Sequence, residues 1–205
     1  TINANSLIKG EWSYPLVQAD ITVEHLPVSR IATIWPQTLS ENARRWITSR
    51  ISGGNVERLE AHLNLQPNAW EYGITDREMI YAQFVVKGST VDYLPGLPVA
   101  KSVTASGWYD GIDLHLNINE GRIENQSLQN VVVNISSING PDENGIIQVK
   151  SFGPLDDLLR TFNTPTVRDV GFFQIDPSVL SGSIKTDLEI RFPLLSDLAV
   201  TDLEI

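Results

Sequence analysis

Gly111-Ile112-Asp113-Leu114-His115-Leu116-Asn117-Ile118-Asn119 alternates apolar and polar residues without error from 112 to 119. That period of two belongs to a strand with one face buried and the other wet. The Asp110-Gly111 pair before it is a strong hairpin signal, and Glu120-Gly121 reads as its end. The same pattern returns at 59–65, 80–86, 131–135 and 184–192, each time stopped by Gly, Pro or Asn. The chain therefore reads as a large antiparallel sheet whose apolar face needs a cover.

Composition narrows the partners. The 205 residues carry a formal charge of −10, with 41% hydrophobic and 20% charged residues, ordinary for a globular protein long enough to bury a core. An acidic chain is a poor match for nucleic acid, whose phosphates demand clustered Lys and Arg. The absence of cysteine excludes disulfides, thiolate chemistry and Cys-based metal sites. No apolar run approaches the roughly 20 residues of a membrane span, and no signal peptide is visible. The start at Thr1 and the strand-like end at Asp202-Leu203-Glu204-Ile205 read as an excised piece.

Further strands are expected around 6–12, 18–24, 79–87, 88–94, 101–108, 121–124, 128–137, 146–151 and 198–205. Val28 to Trp35 fits two helical turns before Pro36. Ser40 is placed to cap a helix over about 40–51 with Ala43, Trp46, Ile47 and Ile51 on one face, ended by Gly53-Gly54. A second one-faced helix follows Pro154, through Leu155, Leu158, Leu159 and Phe162. Consecutive strands joined by short turns form a meander, with the two helix-then-strand units as a faint repeat. The fold class is mostly β with two short helices (α+β), and a closed β-sandwich is the alternative. Residues 1–205 read as one region, with a possible sub-boundary at 139–145.

No catalytic constellation emerges. His25, His62 and His115 lie on polar strand positions without ligand spacing, so no metal site is expected. Asp156-Asp157 falls in a helix first turn, where acids suit the dipole, and Asp187 with Glu189 interleaves Lys185 and Arg191 on a wet strand face. Gly53-Gly54 lacks the Lys-Ser/Thr of a phosphate loop. The tryptophans at 12, 35, 46, 70 and 108 are scattered, with Trp35 and Trp46 flanking the first helix.

Several stretches share an order with a known family. Trp35-Pro36, Arg44-Arg45-Trp46-Ile47 and Gly53-Gly54-Asn55-Val56 come first. Phe84-Val85-Val86-Lys87-Gly88, Val91 to Pro98, and Gly121-Arg122-Ile123 follow. Gly153-Pro154-Leu155, Leu158-Leu159, Gly182, Leu188 and Pro193-Leu194 complete the series. In that order they resemble bacterial AsmA-like envelope proteins of the YhdP type, in the AsmA/TamB superfamily, over about 27–195. The resemblance implies a large curved sheet forming an apolar groove, with no catalytic residues and no cofactor. It implies a segment of a longer Gram-negative protein, held in the periplasm by an inner-membrane anchor outside this stretch. The expected partners are phospholipid acyl chains and neighbouring repeats of the same chain. The expected lining is Leu59, Leu63, Leu65, Phe84, Val86, Ile112, Leu114, Leu116, Ile118, Val131, Val133, Ile135, Leu188 and Ile190. A protein-interaction module pairing through edge strands is the second reading. A carbohydrate-binding sandwich is a distant third.

Overall fold

Cross-strand register explains the architecture, because residues directly opposite one another share a face. A computed structural model describes residues 1–10, 15–35, 41–69, 76–138, 142–168, 176–194 and 198–204. The strands are β1 (Ile2–Lys9), β2 (Leu16–Pro27), β3 (Ile51–Ser52), β4 (Asn55–Leu65) and β5 (Ile80–Val91). They continue with β6 (Ala100–Tyr109), β7 (Leu114–Ile123), β8 (Gln126–Ser136), β9 (Asn144–Pro154) and β10 (Ser183–Pro193). All belong to one antiparallel sheet in the order β1-β2-β4-β5-β6-β7-β8-β9-β10, with β3 beside the end of β5. The sheet is open and curved. The meander is therefore realised, and the closed sandwich is not.

Helices are marginal by comparison: α1 (Ile31–Ile34), α2 (Glu41–Arg50), α3 (Leu155–Phe162) and α4 (Pro165–Arg168). Helix α2 has the expected extent but not the expected packing. Trp46 stays 45% exposed, and none of the helix's described side chains is buried. Hydrogen bonds hold the helix instead: Arg44 donates to the carbonyls of Trp35 and Ala32, and Arg50 pairs with Asp92 at 2.8 Å. Helix α3 is better seated, with Leu159 buried and Arg160 bonded to both Asp156 and Asp157.

Three apolar clusters anchor the sheet. One gathers Ala19, Leu63, Leu65, Met79, Ile80 and Tyr109 near one end of the central strands. A second gathers Ala100, Val103, Leu128 and Val131 near the other. The third joins Leu94, Val167 and Val200, so that the loop after β5, helix α4 and the C-terminal segment meet.

A line of irregularities crosses the sheet along the border of the second cluster. Val56, Val86, Ala105, Ile118 and Val131 are successive cross-strand partners, and register slips beside this row in β4, β5, β6 and β8. His25 (φ 53°), Gly88 (φ 73°), Ser102 (φ 54°) and Asn130 (φ 53°) adopt left-handed conformations along it. Bulges bend a strand and sharpen its twist, so their alignment concentrates curvature into one crease.

Several strand boundaries differ from the sequence expectation, including β1, which starts at Ile2 rather than about residue 6, and some have a local reason. Strand β7 begins at Leu114, because Asp110 Oδ1 accepts the N–H groups of Ile112 (3.0 Å) and Asp113 (2.7 Å) and holds them in the turn. Ile112 therefore precedes the strand. Gly121 does not end it: a Cβ there would meet Leu128 Cδ1 at 3.2 Å, so the glycine permits close packing while β7 runs on to Ile123. Likewise Gly88 is a bulge within β5 rather than a break. The expected terminal strand is a 3-10 turn at Val200–Asp202, with a bridge between Arg191 and Glu204. Trp12, Ser40, Trp70 and residues 139–141 lie outside the described residues.

The glycine doublet at 53–54 earns its place by close approach. A Cβ on Gly54 would sit 2.7 Å from the Ser89 backbone nitrogen. The crease predicts substitutions of opposite sign. Gly88→Ala, whose new methyl meets open space, should still lose about 1 kcal/mol through left-handed strain. Ser102→Gly should be neutral or slightly stabilising. Urea denaturation measures both, and an unchanged midpoint for Gly88→Ala contradicts the left-handed assignment.

Candidate binding surface

The apolar face can be followed strand by strand. Ile2, Val23, Leu59, Phe84, Gly107, Leu116, Val133, Ile147 and Ile190 are successive partners from β1 to β10. Beside them run Ala4, Ile21, Ala61, Ala82, Tyr109, Leu114, Ile135, Gly145 and Phe192. Neither row contains a charged side chain.

Burial along the first row is uneven. Val23 is fully buried, whereas every member from Leu59 to Ile190 is half-buried. The most enclosed residues lie to either side, in the clusters around Leu63–Tyr109 and Val103–Leu128. A band of partly covered apolar side chains thus crosses seven strands between two closed ends. Six strand spacings of about 4.8 Å give it a length of about 29 Å.

Gly107 shapes the band. A Cβ there would strike the His115 carbonyl and lie 2.7 Å from Leu116 Cδ2. Leu116 therefore lies across the place where a side chain on β6 would stand. At the far end the Phe192 ring covers Gly145 in the same way.

The expected lining divides clearly. Leu59, Phe84, Leu116, Val133 and Ile190 belong to the main row, and Leu114 and Ile135 to its neighbour. Val86, Ile118 and Val131 border the crease, and Leu188 pairs with Val149. Leu63 and Leu65 are buried in the first cluster. Ile112 sits in the turn, with its carbonyl accepting from Ile138 N–H. Ile147 and Val149 were hidden by the double isoleucine at 146–147, which blurs the alternation. Gly107 left no apolar signal at all.

The opposite face is polar and well paired. His62 meets Asp20 at 2.7 Å, and His25 meets Glu57 at 3.3 Å. His115 Nδ1 lies 2.6 Å from Asn134 Oδ1, while Asn117 Nδ2 donates to its Nε2 at 3.0 Å. Trp108 stacks on the His115 ring at 5.9 Å. Lys150 pairs with Asp187 at 3.4 Å, and Glu189 accepts from Gln148 and Arg191. The two carboxylate pairs noted in the sequence are thus absorbed by neighbouring cations and amides. A shallow depression lined by Asp20, Glu60, His62, Tyr81 and Gln83 opens on this face.

One charged cluster positions the band. Arg77 bridges Asp110 and Asp113, and Asp113 also accepts from Ser137 N–H at 3.1 Å. The β6–β7 turn is thereby tied to the end of β8, which fixes Leu114 against Ile135. Partial burial pushes the Asp110 carboxyl upward, but the N–H groups of Asp113 and Ile112 and the Arg77 guanidinium outweigh it and hold it below the usual range. Elsewhere, burial and nearby Asp92 push the Tyr93 hydroxyl up to about 12.

The sign for Asp110 follows from linkage. A depressed folded value means its contribution is full above the unfolded carboxylate range and is lost as pH falls through the folded value. Asp110→Asn should therefore destabilise the chain at neutral pH, and the gap from wild type should narrow below about pH 4. Urea titrations of both proteins at pH 7 and pH 3 measure the gap, and a constant difference contradicts this account.

A protein-family model described as YhdP protein matches residues 4–200. Comparison with curated proteins yields no match, and comparison with solved structures yields none.

Proposed function

The chain belongs to the YhdP family, and from that membership we propose a non-enzymatic segment of an envelope lipid conduit. Membership points to envelope lipid transport. The finer reading is a groove whose wall is the half-buried band from Leu59 to Ile190, carrying phospholipid acyl chains toward the outer membrane. The observation that carries it is that band: an uncharged row left partly uncovered between two closed clusters. Each methylene transferred from water onto such a surface contributes up to about 0.8 kcal/mol. No head-group chemistry is needed for chains to bind there. Sliding along the row costs little because successive strands offer equivalent contacts.

In this reading the segment lies in the periplasm and is anchored to the inner membrane by a part of the protein outside this stretch. No helix of the described residues is long and apolar enough to cross a membrane. Neighbouring repeats of the same longer chain would extend the groove from its edges. The second reading, an edge-pairing envelope scaffold, is favoured by β1, whose eight residues are all exposed.

Photo-crosslinkers at 114, 116 and 117 separate the two. Those at Leu114 and Leu116 should capture phospholipid, and the one at Asn117, on the other face, should not. Native mass spectrometry of the purified chain should show lipid adducts that Leu116→Asp removes. Protein free of lipid, with equal labelling at 116 and 117, overturns the conduit. Leu116→Asp should leave edge pairing intact, so a variant with normal folding and lost lipid excludes the scaffold as the sole function.

A further inference from the structure

A second row, on the polar face, has a composition unlike the rest of that surface. Lys101 is opposite Arg122, Arg122 opposite Ser127, Ser127 opposite Phe152, and Phe152 opposite Lys185. All five are exposed, Phe152 by 40%. The row crosses five adjacent strands, about 19 Å at the usual strand spacing. It contains three cations and no acid, in a chain of formal charge −10.

Two features are unfavourable in isolation. Like charges directly opposite one another destabilise a strand pair, and Lys101 and Arg122 are such a pair. Neither has an ion pair or hydrogen-bonding partner among the described residues. An exposed Phe also gains nothing from water, and unlike Tyr or Trp it has no polar atom to offer. Both costs are relieved by one environment, in which anions meet the cations and an apolar layer lies just beyond them.

We propose that this row docks the sheet on the surface of an anionic phospholipid bilayer. Phosphates of the head-group layer bridge Lys101 and Arg122 and meet Lys185, while Phe152 enters the boundary between head groups and acyl chains. Cations near an anionic leaflet and an aromatic at that depth are the ordinary elements of interfacial binding. The nearest acids on the same strands are Glu120, Glu124 and Asp187, and Asp187 is already paired with Lys150. The row lies on the face opposite the acyl-chain band, so a sheet docked this way keeps its apolar band clear of the bilayer it touches.

Vesicle flotation tests the inference. The chain should float with vesicles of phosphatidylglycerol and phosphatidylcholine, but not with phosphatidylcholine alone, and 0.5 M salt, at which screening shortens to about 4 Å, should release it. The double variant Lys101→Glu/Arg122→Glu should lower partitioning at least tenfold, because each cation near the surface is worth severalfold. Phe152→Ser should lower it severalfold. All three positions are exposed, and circular dichroism melts check that the variants fold. Inorganic phosphate is the control: if phosphate alone binds at Lys101 and Arg122 and vesicles do not float, the bilayer assignment is wrong. It is equally wrong if the double variant floats like wild type, or if the chain prefers isolated murein. Leu116→Asp separates this from the conduit: it should float normally whatever becomes of its lipid adducts.

Discussion

The fold turns on how an antiparallel sheet of this size bends without losing its ladders. The bend is localised beside Val56, Val86, Ala105, Ile118 and Val131, where one strand after another slips register. Left-handed backbone at non-glycine residues costs about 1–2 kcal/mol each, so His25, Ser102 and Asn130 persist only because their neighbours over-determine them. Aligned strain of this kind is cooperative. Each bulge is held by the ladder on both sides, and each reinforces the same change of direction in the next strand. The crease borders the second cluster, to which Val131 belongs, and the half-covered row lies between it and the first cluster.

That division sets what each face can do. The polar face is a lattice of cross-strand pairs, with His62–Asp20, His115–Asn134 and Lys150–Asp187 satisfied by their neighbours. The apolar face has no charged group in its two central rows, and the Tyr109 hydroxyl there donates to the Gly111 carbonyl. Gly107 matters more than its size suggests. Leu116 lies across it, which keeps the centre of the band continuous where a side chain would interrupt it.

Much of this was legible in the sequence, for a physical reason. One-sided burial imposes a period of two, and 59–65, 80–86, 131–135 and 184–192 carry it in the sequence. Helix α3 was legible from its apolar spacing after Pro154. Departures arise where one side chain competes with the ladder. Asp110 takes two N–H groups that alternation assigns to a strand, and so moves Ile112 into the turn. Bulges are harder to read, because Ser102, Asn130 and His25 adopt a conformation their composition does not announce. Gly121 and Gly88 mislead in the other direction, being close-packing and bulge positions inside continuous strands. For α2 the apolar spacing is present but nothing closes over it. A helical stripe specifies a face, whereas burial depends on what lies opposite.

The alternation at 112–119 likewise says that one face is apolar without saying how far it is covered. Coverage is decided at the sheet edges. Joining β1 to β10 would close a barrel and bury the band. On β10 the Arg191 and Glu204 backbones exchange hydrogen bonds of 2.9 and 2.8 Å, so the returning C-terminal segment occupies part of the edge that closure requires. On β1 the residues Ile2–Lys9 pair with β2 along one side only, and among the described residues no strand lies on the other side. Closing the sheet would require displacing the segment paired to β10, whereas leaving it open costs only the exposure of a band that is already half covered. The open sheet thus rests on a local pairing at its β10 end, where the returning segment stands in the way of closure over the apolar row.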